Sequence, residues 1–211
     1  MMEKVDEIIV IMGKGRDSNT YIIEDTIIDP GSGENIEYLK EAIKESGLEM
    51  TDIKKIINTH CHYDHMGADK QLQDEYGYEI YMHPLDKKMV DQKDAQATVA
   101  ISFNTTVPDL DIKELNEDEE VHGYKVVHTP GHTKGGICLF NGKNLISGDT
   151  LFSGGNFGRT DLPTGNMQEM KESIHKISEL DPVQLFPGHG PYAISQVLEQ
   201  ISLSLMIASR L

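Results

Sequence analysis

His60, His62, Asp64 and His65 fall within the run Thr59-His60-Cys61-His62-Tyr63-Asp64-His65-Met66-Gly67. Neutral imidazoles and carboxylates are ligands for zinc, and they also suit iron and manganese. With 9 His and 17 Asp in 211 residues, a shuffled chain would show His-x-His-x-Asp-His about once in a thousand trials. Composition alone therefore does not explain the pattern. Side chains two apart on an extended backbone point the same way, so His60 and His62 face one point. Asp64 and His65 arrive as the chain turns into a helix and face a second, adjacent point. Three further candidates stand beside glycine downstream: His132 in Thr-Pro-Gly-His-Thr, Asp149 in Ser-Gly-Asp-Thr and His189 in Phe-Pro-Gly-His-Gly. Each alone would read as a loop or core residue. Four polar clusters leaving strand ends read as one site, because open sheets place their sites there.

The elements that must carry these residues follow from β-branched runs and helical periodicity. Strands are expected over 6–12, 20–24, 26–29, 54–59, 79–82, 124–129, 136–140, 143–147 and 184–186. Helices are expected over 34–46, 66–76, 167–180 and from about 193. The last would bury Ile194, Val197, Leu198, Ile201 and Leu205 on one face, as core or as a subunit contact in a homodimer. Segment 92–120 is the least regular, and its end, Asp111 to Glu120, packs six acids into ten residues. Strands and helices alternate along the whole length, which makes the class α/β or α+β. Cys61, between two ligand-type histidines, is expected to be a small buried residue. His83, His122, His128 and His175 lack such partners and are expected to be structural or on the surface.

Lys and Arg number 19 against 35 Asp and Glu, a net charge of −16. That balance argues against nucleic acid and anionic membranes as partners and leaves a small-molecule substrate. The N-terminus lacks the features of a signal peptide, and two cysteines make no disulfide framework, so a cytoplasmic protein is expected. No phosphate-binding Gly-x-x-x-x-Gly-Lys-Ser/Thr, Gly-x-Ser-x-Gly elbow or His-Glu-x-x-His helix occurs.

The order His60-x-His62-x-Asp64-His65, His132, Asp149, His189 resembles the metallo-β-lactamase superfamily over nearly the whole chain. An early Asp29 after a strand pair matches the residue that supports the ligands from behind. The resemblance implies one domain over 1–211, a four-layer αββα sandwich of two mixed sheets flanked by helices. It implies two divalent metal ions, zinc first, with iron or manganese also suited. His60, His62 and His132 would hold one ion, Asp64, His65 and His189 the other, and Asp149 would bridge them. Gly148-Asp149-Thr150-Leu151-Phe152 and Gly158-Arg159-Thr160-Asp161 are similar to the glyoxalase II (hydroxyacylglutathione hydrolase-like) branch.

That branch implies cleavage of a thioester or related acyl compound by a metal-bridging hydroxide, with Asp64 as ligand and orienting group. Arg159 is a candidate contact for an anionic substrate group; a salt bridge to a nearby Asp is the equal alternative. After His189 only Arg210 is basic, so the helical region that grips glutathione in that branch is not expected. The alternative activity is that of mononuclear iron persulfide (sulfur) dioxygenases, which share the His/Asp set. A non-catalytic metal domain is disfavoured, because structural zinc sites are closed and usually cysteine-rich.

Overall fold

Side chains branched at Cβ pack well on a pleated surface, and the strand Ile8–Ile11 consists of nothing else. The computed structural model describes residues 2–211 and contains two mixed sheets with helices packed on them. The chain divides into two units, Met1–Met82 with Lys87–Glu114, and His83–Asp86 with Leu115–Leu211.

In the first unit seven strands lie side by side in sequence order: β1 (Met2–Val5), β2 (Ile8–Ile11), β3 (Thr20–Ile23), β4 (Thr26–Ile28), β5 (Lys55–Ile57), β6 (Glu79–Met82) and β7 (Ile112–Glu114). The first four form an antiparallel meander, and β4 to β7 run parallel. Parallel pairing needs a crossover. Helix α1 (Ile36–Glu45) leads from β4 to β5; the one-turn α2 (Tyr63–Met66) and α3 (Asp69–Tyr76) lead from β5 to β6. Leu39, Ile43 and Leu72 of these helices pack on Ile22, Ile27, Ile56 and Ile80 of the sheet. Gly47, at φ +90°, ends α1 in a left-handed turn. Helix α4 (Pro84–Asp91) follows β6.

In the second unit β8 (Glu120–Val121), β9 (Tyr124–His128), β10 (Ile137–Phe140) and β11 (Asn144–Gly148) are antiparallel neighbours. Helix α5 (Met167–Ser178) carries the chain over to β12 (Gln184–Pro187), parallel to β11, and α6 (Val197–Ala208) follows. Met170, Ile174 and Ile177 of α5 and Val197 and Ile201 of α6 share a core with Val127, Cys138, Leu145 and Leu185.

Four expectations need correction. The strand expected over 6–12 is shorter, Ile8–Ile11, because Asp6 and Glu7 form the turn of a hairpin whose first strand, β1, had no assignment in the sequence. The strand before His60 stops at Ile57, and the chain bends before the first ligand-type residue. The helix expected over 66–76 is broken at Gly67, where an added Cβ would lie 2.4 Å from the Ser32 carbonyl oxygen. The last helix starts at Val197 because Ala193 instead pairs with Leu185, through backbone bonds of 2.8 and 2.9 Å. Ile194 and Leu198 are therefore 57% and 43% exposed, while Val197 and Ile201 are buried. No helix among the described residues is long and apolar enough to cross a membrane.

Candidate metal centre

The parallel pair β4 and β5 delivers Asp29 and Thr59 side by side just past the ends of the two strands. Asp29 is buried at φ +54°, in the left-handed region that Asp tolerates better than most residues. Its Oδ1 accepts the Thr59 amide at 2.7 Å; its Oδ2 accepts the Thr59 hydroxyl at 2.6 Å and His65 Nδ1–H at 2.8 Å. The Thr59 hydroxyl has one proton and gives it to Asp29. In its 3.1 Å contact with His60 Nδ1 the imidazole is therefore the donor. Both rings are thus fixed with the proton on Nδ1 and the lone pair on Nε2.

The ligand atom of His60 lies within 4.8 Å of those of His62 and His65, and that of Asp64 within 4.8 Å of that of His65. The three rings are buried, whereas the Asp64 side chain remains 22% exposed. Backbone bonds hold this turn in place. Ser18 N–H donates to the Asp64 carbonyl at 3.1 Å, Gly31 N–H to that of His65 at 3.0 Å, and Tyr63 N–H to Thr98 at 2.8 Å. Thr98 precedes Val99, a β-branched residue at φ +59°, a conformation that costs about 1–3 kcal/mol and persists only where its surroundings impose it. The segment without periodicity in the sequence is thus an anchor for the turn that carries these ligand-type residues. Cys61 is fully buried, as expected.

In the second unit His132, Asp149 and His189 follow β9, β11 and β12. Asp149 Oδ2 stands 3.4 Å from His132 Nε2 and 3.7 Å from His189 Nε2. One carboxylate oxygen thus adjoins two imidazole nitrogens. A tetrahedral ion with N and O ligands at about 2.0–2.1 Å sets those ligand atoms roughly 3.4 Å apart, so both spacings suit coordination. His132 Nδ1–H donates to the Arg159 carbonyl at 2.7 Å, which turns Nε2 towards Asp149. Gly158 makes this approach feasible: a Cβ there would lie 2.1 Å from the Asp149 carbonyl oxygen and 2.8 Å from His132 Nδ1. Behind Asp149, the Thr150 and Thr129 hydroxyls meet at 2.9 Å.

The Arg159 guanidinium makes two 2.7 Å bonds to Asp161, in an exposed pair. These bonds pull the Asp161 carboxyl down to about 2. Of the two readings of Arg159, the salt bridge is the one present. Its carbonyl, not its charge, touches a ligand-type residue. Sequence reasoning missed Thr59 and this carbonyl. A Thr directly before a ligand-type His, downstream of a buried Asp, signals the first; a peptide carbonyl leaves no trace in a sequence.

The family described as Metallo-beta-lactamase superfamily matches residues 13–189. The chain is 34% identical over 194 residues to the "Probable metallo-hydrolase" of Methanocaldococcus jannaschii, covering 87% of this chain and 92% of that one. It is 35% identical over 175 residues to the hydroxyacylglutathione hydrolase GloC of Haemophilus influenzae, covering 79% and 80%. The fold matches the crystal structure of TTHA1623 in a di-iron-bound form with a TM-score of 0.77 and 30% identity, over 90% of this chain and 96% of that one.

Proposed function

Because the chain belongs to the metallo-β-lactamase superfamily of metal-dependent hydrolases, we propose that it is a dinuclear enzyme that hydrolyses a thioester, of the hydroxyacylglutathione type or a related acyl compound. The observation that carries the dinuclear reading is Asp149 Oδ2, placed against both His132 and His189. As the family resemblance implies, His60, His62 and His132 would hold one ion, Asp64, His65 and His189 the other, and Asp149 would serve both. Zinc suits this donor set first, and iron or manganese can replace it. Two bound divalent ions supply Lewis-acid polarisation of the acyl carbonyl and acidify water to a pKa near ~7.

The chain's own residues supply position and direction. Hydrogen bonds at Nδ1 hold the rings of His60, His65 and His132, so their Nε2 atoms need no reorientation before the ligand set assembles. Asp64, the most exposed carboxylate of the set, accepts a hydrogen bond from the attacking water and sets its direction. A thiol has a pKa near ~8.5, so a thiolate departs at neutral pH without a strong general acid. The reading asks for none, and a hydroxyacylglutathione hydrolase among the relatives points to the same substrate class.

The test is turnover of metal-loaded protein on a panel of acyl thioesters, oxygen esters, lactones, β-lactams and phosphodiesters, with released thiol read colorimetrically. Thioesters are expected to give the highest kcat/KM. Turnover of a phosphodiester or lactone with inert thioesters would overturn the substrate class and leave the metal assignment standing.

A further inference from the structure

We propose that Asp86, outside the ligand set, is a positioning residue for His132. The inference rests on the ligand role proposed above for that histidine. Asp86 is fully buried, in the first turn of α4, two residues after Pro84. Its Oδ2 accepts the Thr133 hydroxyl at 2.7 Å and its Oδ1 the Gly135 amide at 2.6 Å. Thr133 directly follows His132 and is itself fully buried. The loop is closed from within by bonds from Gly131 N–H to the Thr133 carbonyl at 2.9 Å and from Thr129 N–H to the Gly136 carbonyl at 2.8 Å. It also presses directly on the start of α4: a Cβ on Gly135 would lie 2.5 Å from the Asp86 amide nitrogen. The backbone of His132 is therefore set through one carboxylate, and its ring by the Arg159 carbonyl.

The chemistry requires a carboxylate. Two donors of different kinds, a hydroxyl and a peptide N–H, reach two different oxygens, and only an ionised carboxyl accepts on both. An amide would present an N–H₂ to one of them.

The test compares wild type with Asp86→Ala, Asp86→Asn, Thr133→Val and Thr133→Ser. Zinc affinity is read by competition with a chromophoric chelator. The His132 Nδ1–H resonance is read by NMR in the metal-free protein and identified by its loss in His132→Asn. Asp86→Ala is expected to weaken zinc binding by about 10–100-fold, the usual effect of removing a group that orients a ligand, and to shift the His132 resonance. Thr133→Val should move both readouts in the same direction, and Thr133→Ser, which keeps the hydroxyl, should restore them. Asp86→Asn should fall between wild type and Asp86→Ala.

A folded Asp86→Ala protein with wild-type affinity and an unshifted resonance would overturn the proposal. Thr133→Ser as impaired as Thr133→Val would also do so. If Asp86→Ala does not melt cooperatively, the Thr133 pair decides. Wild-type protein that binds no zinc would sink the ligand reading of His132, while the metal-free resonance would still decide whether Asp86 places the ring.

Discussion

Three imidazoles are held in one tautomer by three different acceptors: the Thr59 hydroxyl for His60, the Asp29 carboxylate for His65 and the Arg159 carbonyl for His132. What they share is a proton on Nδ1 and a lone pair on Nε2, the state a divalent ion requires. His60, His62, Asp64 and His65 were legible in the sequence because His and Asp at that spacing are rare by chance, and His132, Asp149 and His189 because each stands beside glycine after an expected strand. Their supports were only partly so. Asp29 stood out through a family resemblance, whereas Thr59 and Arg159 act through contacts that only the folded chain creates. Asp149 is the residue with most at stake. Asp149→Ala is expected to lose both ions and all turnover, by metal analysis and steady-state kinetics on the same preparation. Full turnover in that variant would contradict the bridging assignment.

At the scale of elements, the ligand-type residues of each unit stand just beyond strand ends, and loops with glycine bring them close. Gly158→Ala is expected to push His132 off the Arg159 carbonyl, since the new Cβ would lie 2.8 Å from its Nδ1. Metal content and kcat should fall together. Asn166→Ala provides the contrast: the Asn166 side chain caps α5 through bonds to Gln168 and Glu169 amides of 2.9 and 3.1 Å. Its loss should cost about 1 kcal/mol in urea unfolding and leave metal content unchanged. Equal metal loss in both variants would mean that the site responds to general destabilisation rather than to this contact. Strands β2, β3, β4 and β6 and helices α1 and α5 were legible because periodicity and propensity agree there. The 92–120 segment was not. Its structure rests on long-range anchors such as Tyr63 N–H to Thr98, and on a left-handed Val99 that local preference would reject.

Across the whole molecule, acid sensitivity has an identifiable source. The His83 ring stacks on His128 at 4.1 Å, and its pKa is lowered from 6.5 to about 4, first by burial and then by repulsion from His128, with Glu117 opposing. Above pH 6.5 the ring is neutral folded or unfolded. Between 6.5 and about 4 the unfolded chain binds a proton that the fold refuses, so stability falls as pH drops through that window. His83→Asn should lose less stability than wild type between pH 7 and 5, by urea midpoint; parallel losses would contradict this. The net charge of −16 includes the carboxylates of Asp64 and Asp149, so two divalent ions would relieve part of it and stabilise the fold by mass action. The most direct measurement is metal content per chain, by elemental analysis of protein purified without chelators or added metal. Close to two divalent ions per chain, with zinc among them, are expected if the centre is dinuclear. A single iron per chain, or none, would contradict the dinuclear reading.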